Sequence, residues 1–127
     1  MREIPIGTRA EVERFVEHRH TLAAHNPAMP PVFSTPHMIG LMELACFEAQ
    51  APFCEAGEIT VGTAIHVEHR APSTIGSTVK AEAILERIDG RFFIYRVRAW
   101  DEQRELGAGT VHRAVVNVAK FREKFQR

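Results

Sequence analysis

Thr35-Pro36-His37-Met38-Ile39-Gly40-Leu41-Met42-Glu43-Leu44-Ala45-Cys46-Phe47-Glu48-Ala49 reads as one helix, apolar on nearly every side and interrupted by a single central carboxylate. Thr35 is a fitting N-cap and Pro36 a fitting first helical residue. The helix is expected to end before Pro52, with Gly57 marking the turn that follows. At about 100° per residue, Ile39, Met42, Cys46 and Ala49 form one stripe, while Leu44 and Phe47 lie well away from it. His37 and Glu48 share another side, and Glu43 flanks the stripe near Ile39 and Gln50. A helix with apolar residues all round is usually buried, so its lone acid must be paired, neutralised or put to chemical use.

Downstream of this helix the hydrophobic period changes from helical to two. Four strand-like segments follow, over 59–71, 77–88, 91–101 and 104–118. Pro72 and Gly76, Asp89-Gly90, and Asp101-Glu102-Gln103 mark the turns between them, and Asp-Gly between alternating segments is a hairpin signal. Upstream, 9–17 alternates weakly, with Val12 and Val16 on one face. Residues 20–33 carry Pro27, Pro30 and Pro31 and read as an irregular, partly apolar loop, either a cover over a site or a plain connection. The tail, 119–127, has the makings of a short helix that packs Phe121 and Phe125. One strand, one helix and four antiparallel strands make an α+β pattern. An apolar helix of this kind needs a sheet curled around it or a second subunit against it. The expected architecture is therefore a hot dog, an antiparallel sheet wrapped around a central helix, in a single domain over 1–127.

The chain of 127 residues carries 16 basic and 16 acidic side chains, so its formal charge is zero. That balance gives no electrostatic reason to expect nucleic acid or anionic lipid as a partner. No stretch approaches the roughly 20 apolar residues of a membrane span, and the start, Met1-Arg2-Glu3-Ile4-Pro5, lacks the core of a secretory signal. Cys46 and Cys54 cannot form a disulfide framework, and Cys46 reads as a reduced, buried thiol. The expected compartment is the cytoplasm.

Strand parity singles out a histidine. In the segment 59–71, Ile59, Val61, Thr63, Ile65, Val67 and His69 share the core face, leaving His66 and Glu68 to solvent or a partner. Taken alone, an inward His69 fits a hydrogen-bonded core residue better than a proton carrier. Glu43 alone likewise fits a structural acid or a catalytic one. His66 and His69 project to opposite faces and cannot share an ion, and His18 and His20 lack a third ligand, so no metal is expected. Thr35 stands at the helix start, where free N–H groups suit a developing oxyanion. It is eight residues from Glu43, roughly 12 Å along the axis, so the two do not touch directly.

Three runs carry a resemblance. Val32-Phe33-Ser34-Thr35-Pro36-His37-Met38-Ile39-Gly40-Leu41-Met42-Glu43-Leu44-Ala45-Cys46 resembles the central helix of hot-dog thioesterases related to fluoroacetyl-CoA thioesterase. Val61-Gly62-Thr63-Ala64-Ile65-His66-Val67-Glu68-His69 resembles that family's next strand, and Gly107-Ala108-Gly109-Thr110-Val111-His112-Arg113 its last. The similarity runs in order from about residue 20. It implies hydrolysis of a small acyl-CoA thioester, without a cofactor and in a homodimer, with Thr35, Glu43 and His69 as the catalytic threonine, glutamate and histidine. It further implies that Gly62 approaches the thioester carbonyl, and that Arg113, Met29 and Phe33 lie near substrate. Parity alone leaves open which of His112 and Arg113 points inward. Met29 stands where the fluoroacetyl-specific pattern has a phenylalanine that gates the pocket, so general small-acyl chemistry is expected rather than fluoroacetyl selectivity. Two other readings are a hot-dog hydratase or dehydratase acting on an enoyl thioester, and a non-catalytic acyl-CoA binding module. The chain lacks the close Asp–His hydration motif of the first, and thiol release separates all three.

Overall fold

The helix α1 spans Thr35–Gln50, and a five-stranded antiparallel sheet curls around it. A computed structural model describes residues 1–126. The strands are β1 (Arg9–Phe15), β2 (Glu58–His69), β3 (Thr78–Asp89), β4 (Phe92–Trp100) and β5 (Glu105–Asn117), in the spatial order β1-β3-β4-β5-β2. A short helix α2 (Val118–Glu123) closes the described chain. Phe121 and Phe125 meet edge to face at 5.7 Å, as the tail pattern predicts. The expected tail helix also took in residue 127, which lies outside the described residues. This is the hot-dog arrangement, and each sequence-read strand lies within two residues of its observed limits.

Glycine makes the curl possible where β5 meets β2. A Cβ on Gly109 would stand 2.0 Å from the His66 carbonyl oxygen, and one on Gly107 would stand 2.4 Å from that of Glu68. Only the missing side chain lets the two backbones approach so closely. The same absence lets the Met38 side chain press directly onto Gly107. The core then fills with Met38, Leu41, Met42, Ala45 and Cys46 from α1 against Val79, Ala81, Ala83, Leu85, Tyr95 and Val97 from the sheet.

Three local expectations are corrected. The helix cap is Ser34, not Thr35: Ser34 has extended backbone and its Oγ accepts from the His37 N–H. Thr35 is thus the first helical residue, and its hydroxyl is free for another partner. Secondly, α1 is not buried all round. Its covered side carries Met38, Leu41, Met42, Ala45, Cys46 and Ala49, whereas Leu44 and Phe47 are each 37% exposed and Gly40 is open. Positions 40, 44 and 47 lie on one face at helical spacing, so a strip of apolar surface stays uncovered.

The third correction concerns β2. The register against β5 shifts between Gly62 and Ala64, so Thr63 is an extra, bulged residue. A bulge reverses the facing of everything before it. Thr60 is 4% exposed and Gly62 abuts Glu43, so these two face inward rather than Ile59, Val61 and Thr63. Beyond the bulge the expected parity returns: Ile65 and Val67 pack on the core, and His66 and Glu68 are exposed. β2 pairs with β5 alone and forms one edge of the sheet.

Candidate active site

Two clusters gather the residues singled out above. At the N-terminal end of α1, Thr35 Oγ1 and His69 Nδ1 lie 2.8 Å apart. The helix places the threonine, and the end of β2 places the histidine. His69 Nε2 is buried and has no hydrogen-bond partner among the described residues. Beside this pair opens a pocket of about 260 Å³, walled by Leu22, Val32, Phe33, Ala71 and Pro72. Phe33 is 1% exposed and is pinned by its N–H to the Ser73 carbonyl. Met29 is not brought to this pocket: it sits 43% exposed at the loop tip.

Two turns along the helix, Glu43 meets a different set of groups. Arg113 Nη1 stands 3.7 Å from Glu43 Oε2. A Cβ on Gly62 would lie 2.7 Å from Glu43 Oε1, so the carboxylate occupies the space that the glycine leaves. Arg113 points inward and is 6% exposed, which answers the question that parity left open; His112 lies on the outer face, its ring 5.6 Å from that of His66. A buried guanidinium must spend its donors on fixed acceptors. Arg113 Nη2 donates to the Thr60 carbonyl at 2.7 Å, and its Nε and Nη2 reach the Thr60 hydroxyl at 3.3 and 3.2 Å. Thr60 was missed by sequence reasoning because the bulge at Thr63 hides its true facing. No hydrogen bond or ion pair links Glu43 to Thr35 or His69 among the described residues.

Neighbouring groups are tuned against reactivity. Burial pushes the Cys46 thiol up to about 12, which Arg113 only partly opposes, so it stays protonated and is no nucleophile. Burial also raises the Tyr95 phenol, whose hydroxyl donates to Gln50 Oε1 at 2.7 Å and ties α1 to β4. Two more histidines flank the start of α1, His20 in the segment before it and His37 in its first turn. His20 Nδ1 accepts the Glu17 N–H at 2.9 Å, His37 Nδ1 lies 2.7 Å from Ser34 Oγ, and the two rings meet at 5.3 Å. Burial lowers both pKa values, and Arg19 and Arg14 add to it, so the pair favours its neutral form.

The fold, with a threonine–histidine pair beside a small pocket and a carboxylate held against a buried arginine two turns along the helix, is that of a hot-dog thioesterase. The family model described as fluoroacetyl-CoA-specific thioesterase matches residues 16–119. The chain belongs to that family. It is 43% identical to the fluoroacetyl-CoA thioesterase of Streptantibioticus cattleyicolor over 109 residues, covering 86% of this chain and 78% of that protein. A solved structure of a fluoroacetyl-CoA thioesterase superposes with a TM-score of 0.91 at 39% identity, covering 96% of this chain and 95% of that one. A thioesterase superfamily member from Thermus thermophilus gives 0.92 at 31% identity, covering 98% and 93%.

Proposed function

We propose that this protein hydrolyses small acyl-CoA thioesters at a site shared by two copies, with Thr35 and His69 from one and Glu43, Gly62 and Arg113 from the other. The observation that carries this reading is the buried, unpartnered Nε2 of His69, in a chain whose acid is engaged elsewhere. Buried polar atoms are rarely left without a partner. A symmetric pair supplies one. Two β2 edges that pair antiparallel bring the His69 end of one strand alongside the Gly62 region of the other. The same pairing sets the uncovered Gly40, Leu44 and Phe47 face of one α1 toward its copy.

In this site Glu43 draws a proton from the water that adds to the thioester carbonyl, or adds to it directly and forms a mixed anhydride that a water then hydrolyses to release the acid and free Glu43. The carbonyl carbon becomes tetrahedral, the Thr35 hydroxyl and the backbone at Gly62 steady its oxyanion, and the carbon–sulfur bond breaks. His69 delivers the proton that the departing thiolate takes up. Arg113 holds the Glu43 carboxylate in place. The pocket beside Thr35 and His69, about 260 Å³ and walled mostly by apolar residues with Arg70 among its lining, suits a short acyl chain. Met29, where the fluoroacetyl-specific pattern has a gating phenylalanine, sits at an exposed loop tip away from the pocket, and the reading is breadth across small acyl groups rather than fluoroacetyl selectivity. Two unpaired cysteines fit a reducing compartment, and we place the reaction in the cytoplasm. Thiol release from a panel of short acyl-CoAs tests the function. The expected result is turnover of several members; no thiol from any of them would refute it.

A further inference from the structure

Coenzyme A carries its charge far from the thioester, on a pyrophosphate and a ribose phosphate. A chain of zero net charge must meet that charge locally. Of the cavities in the described residues, one of about 460 Å³ against β3, β4 and β5 is lined by Arg70, Arg96 and Arg98, but Glu82, Glu86 and Glu105 offset them. Another, of about 540 Å³ beside the N-terminal segment, carries Glu3 with Arg2. A smaller one, about 180 Å³, differs in kind. It lies between the end of β5, the start of β4 and α2, where Arg91, Lys120 and Lys124 line it and no carboxylate does. None of these three cations takes part in an ion pair among the described residues. Phe121 supplies an aromatic wall between them, half-buried and braced edge to face by Phe125.

We infer that this cleft binds the phosphorylated nucleotide end of the coenzyme, with Arg91, Lys120 and Lys124 on its phosphates and Phe121 against the base. Unpaired cations around an aromatic face are the chemistry that a phosphorylated purine nucleotide calls for. The placement agrees. Asn117 and Arg113 lie four residues apart on β5, about 13 Å at the rise of a strand, a span that an extended pantetheine arm covers. Asn117 Oδ1 caps α2 by accepting the Lys120 N–H at 3.1 Å, which fixes the helix that carries Lys120 and ends at its C-cap, Lys124. The Val115 N–H donates to the Arg91 carbonyl at 3.4 Å and joins the third cation to the same strand.

The inference rests on acyl-CoA as substrate, and one substrate comparison separates the two. Acetyl-CoA and acetyl-pantetheine share the reacting thioester, but only the first has the nucleotide. The double substitution Lys120→Ala with Lys124→Ala is expected to raise KM for acetyl-CoA about tenfold more than KM for acetyl-pantetheine. Salt should weaken acetyl-CoA binding less in that variant than in the wild type. The paired Lys→Arg variant should restore most of the loss, and Phe121→Leu should weaken binding while keeping its packing. An equal change for both thioesters, or none, would overturn the inference. If the wild type hydrolyses neither thioester, the hydrolytic reading fails. Calorimetric titration with adenosine 3′,5′-bisphosphate then decides the cleft alone, with binding lost on the double substitution expected and equal or absent binding against it.

Discussion

The N-terminal end of α1 and its middle solve different problems. At its N-terminal end, Thr35 and His69 are joined by a 2.8 Å contact beside an open pocket, and a ring nitrogen is left over. Midway along, Glu43 sits against a guanidinium whose donors are already fixed by Thr60. The first cluster has unspent hydrogen-bonding capacity, and the second is braced but lacks a proton carrier. The difference is what the proposed shared site rests on: each cluster has what the other lacks, and a symmetric pair of copies would join them.

The largest effect should come from removing Glu43 or His69, the two groups proposed to react. Glu43→Gln and His69→Ala are each expected to lower kcat by about 10²- to 10⁴-fold with the thermal midpoint nearly unchanged. Wild-type turnover in both would break the comparison outright. Gly62→Ala comes next. Its methyl must displace the Glu43 carboxylate rather than backbone, so kcat should fall by up to about 100-fold while stability changes little. A variant that unfolds instead would mean that Gly62 serves the sheet and not the acid.

A smaller loss should follow Thr60→Val, which takes one acceptor from a buried guanidinium and costs about 1–3 kcal/mol of stability. Thr60→Ser keeps the hydroxyl and should recover both stability and kcat. Equal behaviour of the two variants would remove Thr60 from the bracing of Arg113. The smallest effect concerns the histidines that flank the start of α1. Because burial lowers the folded pKa values of His20 and His37, the unfolded chain takes up protons first as pH falls. Stability is then full above the ordinary histidine range and should decline as pH drops below about 6.5. His20→Asn keeps an acceptor for the Glu17 N–H but cannot titrate. Thermal midpoints measured from pH 7.5 to 5.5 should fall less steeply in that variant, and an identical slope would contradict the assignment.

Much of this was readable in the residues, and what was hidden has a local physical cause. The strand order of the chain, the Asp89-Gly90 turn and the inward His69 all follow from period and turn chemistry, which act over short distances. The facing of Thr60 and Gly62 was masked by one bulged residue, Thr63, since a register shift reverses parity without any mark in composition. The cap moved from Thr35 to Ser34 for a similar reason: two adjacent hydroxyl residues compete, and the backbone chooses. That choice released Thr35 to meet His69. The exposed Leu44 and Phe47 were legible only as apolar, because periodicity does not say whether the covering surface belongs to the same chain.

Complementation between two inactive variants tests the shared site most directly. Glu43→Gln and His69→Ala proteins, mixed, unfolded and refolded together at equal amounts, would form mixed pairs in half of the dimers. In each mixed pair one site has an intact His69 from one chain and an intact Glu43 from the other. The account predicts recovery of about one quarter of wild-type thiol release. Activity no higher than that of the separate variants, with mixed dimers shown to be present, would contradict it.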